Sequence, residues 1–308
     1  MRVTQSMLSN NMLRNLSTSY SKMGTLQEQI NSGKKITRPS QDPVVAIKGI
    51  GYRTDLGKVE QYQRNLGEVN NWLDSSDDAL DKVGIALRRV QELVTQASTD
   101  TITPEDRTKI EKEITQIKGQ IRDLGNTKVG DKYIFSGTKT LEPLFTDTTL
   151  AGENIVPPGG STYPTDSTIT SYESSVNIEV YDGVQITVNT NGYDIFSKID
   201  EMMINLEADL KNPTKAGSDF GPYLSTISDN QNLVLGARAD IGARQNRVEM
   251  MGNRLGTQEV IVTKQLSNNE DIDYEKVITE LITQESIHSA ALSVGARIIQ
   301  PSLIDFLR

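Results

Sequence analysis

The longest run of regularly spaced apolar residues lies between residues 59 and 97. Apolar side chains recur there at alternating intervals of three and four residues, which places them on one stripe of an α-helix and fits no strand. The pattern predicts a helix of about 32 residues or more with a narrow coiled-coil seam. The seam positions are Leu66, Val69, Leu73, Ser76, Leu80, Val83, Leu87, Val90, Val94 and Ala97.

Four aspartates lie on the side of this helix opposite the seam, at positions 74, 77, 78 and 81. Acidic side chains at helical spacing are one way to build a metal site, but a run of like charges is more often a solvated face. We therefore expect these aspartates to face water.

A second helix is predicted after a short connection. Thr103 is a suitable N-cap, Pro104 fits the first helical position, and Asp106 places an acid three residues after the cap. Isoleucines then recur every three or four residues up to Leu124, and Gly125 can end the helix in the left-handed conformation. The two helices are expected to pack as an antiparallel hairpin.

A third long helix is predicted from about residue 222 to residue 266. Its apolar positions are seven residues apart, while the alternate positions, such as Gln231 and Arg238, are polar or small. A helix with half a hydrophobic stripe needs a partner, and the helix of residues 59–97 is the expected one. The apolar positions are Ile227, Val234, Ile241, Val248, Leu255 and Val262.

Between the second and third long helices the spacing of apolar residues is no longer helical. Residues 133–137 form a short apolar run closed by glycine, which predicts a strand. Two alternating segments meet at Asp182-Gly183, which predicts a type I′ hairpin. A shorter helix follows, with Ile195 and Leu210 at the ends of its apolar stripe. Residues 138–193 are therefore expected to form a small β-rich insertion.

Both ends of the chain have amphipathic helical spacing, where most domains have frayed tails. These stripes either pair with each other or stay underfilled until neighbouring subunits complete them. The second interpretation makes them an assembly interface. Its candidate residues are Leu8, Met12, Leu16, Met23, Ile30, Val277, Leu281, Ile287, Val294, Ile298, Leu303 and Phe306.

Composition narrows the function classes. The 32 basic and 41 acidic residues give a net charge of −9, which disfavours nucleic acid as a partner. Cysteine is absent, which excludes disulfides, thiolate nucleophiles and cysteine-bound metals. No apolar run is long enough to span a membrane, and the first six residues lack the apolar core of a cleavable signal peptide.

Catalytic motifs are absent from the sequence. His288 is the only histidine, and no nucleotide-binding glycine motif occurs. Asp271 to Glu275 resembles part of a calcium loop but lacks its glycine, so a helix cap explains it better. We therefore expect no enzyme activity, no cofactor and no metal site.

Several segments resemble the bacterial flagellin-like axial proteins. The run from Gln29 to Ile36, followed by Pro39-Ser40-Gln41-Asp42-Pro43, is similar to the N-terminal signature of that family. The segments 93–123, 133–137 and 273–275 and the C-terminal helix are similar to it as well. Filament subunits usually carry Gly-Leu-Arg-Ile and Ala-Gly-Asp-Asp in the first motif, and this departure favours a junction subunit.

The resemblance implies a mainly α fold: a long antiparallel coiled-coil or helical-bundle rod with paired terminal helices and a small β-rich insertion. Residues 1–45 and 268–308 would form an inner coiled-coil domain. Residues 46–137 and 194–267 would form the helical rod, and residues 138–193 the outer insertion.

The implied function is that of a structural adaptor subunit joining the hook side of the bacterial flagellum to the flagellin filament. Implied partners are an adjacent hook-associated protein, flagellin, further copies in a ring and an export chaperone, with extracellular location after type III export. A filament subunit, and a self-contained helical domain that binds partner helices, remain the alternatives. An enzyme with a carboxylate site ranks third.

Overall fold

The computed structural model describes residues 5–99, 103–145 and 171–299. Six α-helices make up most of this part of the chain, with one 3₁₀ turn at Gly217–Phe220. The helices are α1 Gln5–Ser32, α2 Pro43–Ala97, α3 Pro104–Gly125, α4 Gly192–Lys211, α5 Gly221–Glu270 and α6 Tyr274–Ile299. Two antiparallel strand pairs complete the fold: β1 Lys128–Val129 with β2 Lys132–Tyr133, and β3 Asn177–Tyr181 with β4 Val184–Thr187. The predicted fold class, mainly α with a small β insertion, is confirmed.

The chain divides into two compact units. The terminal unit contains residues 1–58 and 257–308, and the central unit contains residues 59–256. The long helices α2 and α5 contribute residues to both units. The three-part division expected from the sequence has different boundaries and stays a proposal.

The core of the central unit follows the predicted heptad pattern. Every apolar position of the α2 seam from Leu66 to Ala97 is buried, and the α5 positions Ile227 to Leu255 are buried with them. Ser76, the one polar seam member, donates its hydroxyl to the Trp72 carbonyl at 2.8 Å, which satisfies it inside the core. The partner expected for the half-apolar helix is therefore found.

The expected solvated aspartate face is found only in part: Asp74 and Asp78 are exposed, whereas Asp77 and Asp81 are half-buried beside polar seam positions of α5. Arg238 donates to Asp77 at 2.8 Å and to Asp81 at 2.6 Å, and Gln245 donates to Asp74 at 2.8 Å. Only Asp78 pairs along its own helix, with Lys82. The sequence interpretation treated α2 alone, whereas the opposite charges lie on a helix more than a hundred residues away.

Helix α3 begins as predicted and packs against α4. The Thr103 side chain accepts from the Asp106 amide, with Pro104 in the first turn. At its other end Gly125 is not left-handed, because the helix closes at Asn126 with φ −95°. Glycine is required for another reason: a Cβ at Gly125 would lie 2.7 Å from the Phe145 ring.

The segment 133–137 is not the predicted strand beyond Tyr133. Ile134 and Phe135 are fully buried, and the chain turns at Gly137 with φ +60°. A Cβ there would collide with the main-chain carbonyls of Ser171 and Tyr172. The glycine thus lets two chain segments approach closely.

The hairpin at Asp182-Gly183 is confirmed, but its turn is not type I′. That turn needs positive φ at both central residues, and only Gly183 has it, at 72°. A shift of register between Glu179 and Tyr181 accompanies the turn. The hairpin is held on the long helices, because Asn65 donates to the Glu179 carbonyl at 2.7 Å and Arg254 stacks 4.1 Å from the Tyr181 ring.

Candidate assembly surface in the terminal unit

The terminal helices α1 and α6 pack against each other. Gln284 donates to the Ser19 hydroxyl at 2.8 Å, and the Tyr20 and His288 rings lie 6.2 Å apart. Nearer the end of α6, the Met12 side chain packs directly on Gly295, where a Cβ would collide with it. Residues near the start of α1 therefore meet residues near the end of α6, and the pair is antiparallel.

The buried stripe of this pair is narrow. Among the predicted assembly residues whose burial the structure describes, only Val277 is buried, and five are half-buried: Met12, Leu16, Met23, Ile30 and Leu281. Ile287 and Val294 are exposed by 52% and 56%. Leu8 lies in α1 and Ile298 in α6, whereas Leu303 and Phe306 fall outside the described residues. The structure thus brings together part of the predicted set and leaves two members on the surface.

Exposed apolar side chains concentrate in the terminal unit. Of the 18 large hydrophobic side chains that are exposed within the described ranges, 14 belong to this unit, although it is the smaller one. Scattered exposed apolar residues are ordinary, but a concentration of this kind is typical of an interaction surface. These apolar helix faces, which no other described residue buries, are therefore candidates for contact with another molecule.

Sequence analysis missed the part of this surface that lies on α2. Val44, Ile47 and Ile50 are exposed, and they precede the region where the seam spacing begins. The signal was available, since three large aliphatic residues stand three apart beyond the Asp42-Pro43 helix start. Without a seam to assign them to, sequence analysis left them without a role.

An ionic cluster links α2 to the chain segments that follow α1 and α5. Glu270, only 6% exposed, lies 2.6 Å from Arg53 and 3.6 Å from Lys34. Lys34 also donates to Asp271 at 2.6 Å, and this hydrogen bond lowers the pKa of Asp271 below its usual value. The calcium-loop-like segment is thus part of an ion-pair cluster.

Main-chain hydrogen bonds reinforce this cluster. The Lys35 amide donates to the Glu270 carbonyl at 2.6 Å, and the Ile272 amide donates to the Gly33 carbonyl at 3.1 Å. Gly33 has φ +69°, which lets the chain leave α1 and meet the α5–α6 connection. The start of the family-like motif therefore has a structural role.

The cleft between α1 and α6 does not have the character of a catalytic site. Its volume is about 530 Å³, and most of its lining side chains are threonine, glutamine or leucine, such as Thr25, Leu26 and Thr283. Over the described ranges, no group of three or more acidic or histidine side chains is placed to hold a metal ion. The same part of the chain contains no helix that is long and apolar enough to cross a membrane.

Two family models match the chain. The bacterial flagellin N-terminal helical region matches residues 3–140, and the bacterial flagellin C-terminal helical region matches residues 224–307. Together they cover 222 of the 308 residues; the unmatched internal segment, residues 141–223, contains the β3–β4 hairpin and helix α4. The chain belongs to the bacterial flagellin family. The resemblance inferred from the motifs at Gln29–Ile36 and Pro39–Pro43 is thereby confirmed.

Relatives within the flagellin family match along nearly the whole chain. Flagellar hook-associated protein 3 of Salmonella typhimurium is 24% identical over 94% of this chain and 95% of its own. Flagellin of Bacillus subtilis is 25% identical over 96% of each. This flagellin-family chain is accordingly similar both to hook-associated proteins and to filament subunits.

Solved structures with the same fold include two hook-associated family members. FlgL of Bacillus cereus has a TM-score of 0.56 at 22% identity, over 70% of this chain and 99% of its own. Flagellar hook-associated protein 3 of Legionella pneumophila has a TM-score of 0.60 at 14% identity, over 70% and 97%. The helical architecture of this flagellin-family chain is therefore a known one.

Proposed function

We propose that this chain is a structural adaptor subunit of the bacterial flagellum that joins the hook side to the flagellin filament. The observation that carries the proposal is the set of exposed apolar side chains on the terminal unit, in a chain of the flagellin family. Fully burying one such side chain contributes roughly 1.5–3 kcal/mol, so several of them can drive stable association with neighbouring subunits.

The adaptor role is favoured over a filament role by the motif after α1. Pro39-Ser40-Gln41-Asp42-Pro43 departs from the form that filament subunits usually carry in the resemblance described above. Fold likeness to solved hook-associated proteins supports the same choice. The full-length match to Bacillus subtilis flagellin keeps the filament subunit as the second candidate.

Partners and location follow from this role. The terminal helices would contact an adjacent hook-associated protein, flagellin and further copies of the chain arranged in a ring. We further propose export, with the help of a chaperone, to an extracellular position on the flagellum. In this proposal the protein has no catalytic activity, and its domains are those expected from the sequence, with residues 1–45 and 268–308 forming the inner one.

Deletion of the gene tests the adaptor role against the filament role. We expect cells with completed hooks, no filaments and intact flagellin released into the medium, observed by electron microscopy and immunoblotting. Restoring the gene on a plasmid should restore the filaments. Loss of flagellin itself from both cells and medium would instead assign the chain to the filament. Normal filaments on the deletion strain would refute both roles.

The purified chain gives an independent comparison. A filament subunit should polymerise into long filaments when concentrated, because identical subunits supply all its contacts. An adaptor should form at most short closed assemblies, detected by sedimentation and negative-stain microscopy. Long filaments of the pure protein would favour the second candidate.

A further inference from the structure

The first turns of α2 have an apolar face that stays largely exposed among the described residues. Val44, Ile47 and Ile50 are exposed by 61%, 70% and 62%. Helical spacing continues this face through Gly51, where nothing lies within 4 Å of a Cβ position, to Lys58. This surface, from Val44 to Lys58, is here called the α2 face.

The α2 face is flanked by positive charge. Lys58 lies in line with Ile47 and Gly51, and Lys48 stands one turn after Val44. Neither lysine takes part in an ion pair among the described residues; Asp55, one turn after Gly51, is the acid on the same face, and Asp42 caps the helix by accepting from the Val44 and Val45 amides. Both lysines are therefore available to an acidic partner.

Helix α6 has a second uncovered apolar surface on one flank. Its side chains recur at helical spacing beside the stripe that packs on α1. Glu285 lies in line with them and Glu275 stands at their edge, whereas Lys276 points to the opposite side of the helix by the same spacing. The flank, here called the α6 flank, consists of Tyr274, Ile278, Ile282 and Leu292, all 43% exposed or more.

We infer that the α2 face of one subunit docks against the α6 flank of a second copy of this chain. Both surfaces present aliphatic side chains at helical spacing, so ridges of one helix can fit grooves of the other. Their charges are opposite: Lys48 and Lys58 on one surface, Glu275 and Glu285 on the other. Two copies of either surface would bring like charges together.

This inference rests on the proposed adaptor role and names a contact that builds the ring. A ring with more than two members needs a head-to-tail interface, in which two different surfaces of each subunit are complementary. The terminal unit offers two such surfaces that differ in charge. Ile287 and Val294, on the other flank of α6, are left for a different neighbour.

Cysteine cross-linking in flagella tests the contact without background, because the natural chain has no cysteine. Two versions of the full chain, I47C and I278C, are made with different affinity tags and expressed in one cell. After mild oxidation of isolated flagella, we expect a disulfide-linked heterodimer that contains both tags. Separate chains are used so that a bond within one chain cannot be mistaken for the contact.

A matched control pairs I47C with I287C. Ile287 is the same residue type on the same helix, but it lies on the opposite flank. Because thiols held in a contact have a much higher effective concentration, the first pair should give at least about tenfold more heterodimer than the control. Equal yields, or homodimers of I47C alone, would overturn the inference. So would the absence of any heterodimer in flagella that contain both variants, which would assign the α2 face to another partner.

Failure of this contact and failure of the adaptor role are distinguishable. The gene deletion reports on the role without reference to either surface. Flagella that need the gene and contain both cysteine variants, yet give no heterodimer, would retain the role and refute the docking. Charge reversal gives a second readout. The double variant K48E/K58E should be incorporated into flagella several-fold less than the unchanged protein, and adding E275K and E285K to the same chain should restore its incorporation.

Discussion

At the scale of single residues, backbone conformation and close packing explain why glycine stands at certain positions of the sequence. Among the described residues four glycines have positive φ; of these, Gly137 is enclosed by main chain, whereas Gly130 has nothing within 4 Å of a Cβ position. The apolar run before Gly137 is buried, so its position in the sequence reflects close packing with residues 171–172.

Replacing Gly137 with alanine should destabilise the central unit by about 3 kcal/mol or more, because left-handed strain and a main-chain collision add together. Gly130→Ala is the matched control, with φ +60° and open space, and should cost about 1–2 kcal/mol. Urea unfolding followed by fluorescence measures both, since Trp72 is the single tryptophan and is buried in this unit. Equal costs would show that the collision is relieved without strain.

At the scale of elements, the helices could be predicted from the sequence and their surroundings could not. Heptads from Ile227 to Val262 marked α5 because burial on one stripe leaves a periodic trace. The pairing of Arg238 with Asp77 left no such trace in the sequence, because it depends on which helix lies opposite α2. For the same reason the start of α2 was missed: residues exposed in one subunit do not follow its internal seam.

The candidate site could be predicted only in part. Helical spacing at the termini identified the stripe that α1 and α6 share, from Met12 to Val277. It could not separate inward from flanking positions such as Ile287, because a helix that contacts several neighbours is apolar on several sides.

Between α3 and α4, a buried ion pair makes a second prediction possible. Arg122 donates to Asp200 at 2.7 Å, and Asp200 is 1% exposed. Asp200→Ala removes the buried carboxylate that faces the half-buried Arg122 guanidinium and should cost about 3–5 kcal/mol. Asp78→Ala, which breaks the exposed pair with Lys82, should change stability by less than about 1 kcal/mol. The same tryptophan-detected unfolding measures both, and similar costs would contradict the importance of burial.

The ionic cluster of the terminal unit predicts a pH effect. The hydrogen bond from Lys34 lowers the pKa of Asp271 in the folded protein. The stability that this pairing contributes is therefore complete above the ordinary aspartate pKa and is lost as pH falls through the lowered pKa. Hydrogen exchange of the Lys35 and Ile272 amides, corrected for intrinsic rates, should therefore accelerate in acid. D271N should show faster exchange at neutral pH and a smaller change on acidification. An unchanged pH response in D271N would assign the effect to other groups.

At the scale of the whole molecule, charge and exposed apolar surface are divided between the units. The central unit holds 30 acidic and 19 basic residues, whereas the terminal unit holds 11 and 13. The central unit therefore carries a net charge of −11 and the terminal unit a net charge of +2, and the terminal unit has most of the exposed large apolar side chains among the described residues. Low net charge and open apolar faces suit a unit that packs among its own copies.

The position of the protein on the flagellum tests the adaptor role most directly. Leu141 is 77% exposed in the central unit, so Leu141→Cys gives a cysteine-free chain one accessible thiol for a fluorescent or gold maleimide. On flagella from motile cells carrying this variant, we expect label in one narrow zone where the hook meets the filament. Unmodified protein should give no label. Label distributed along the filament would contradict the adaptor role and assign the chain to the filament.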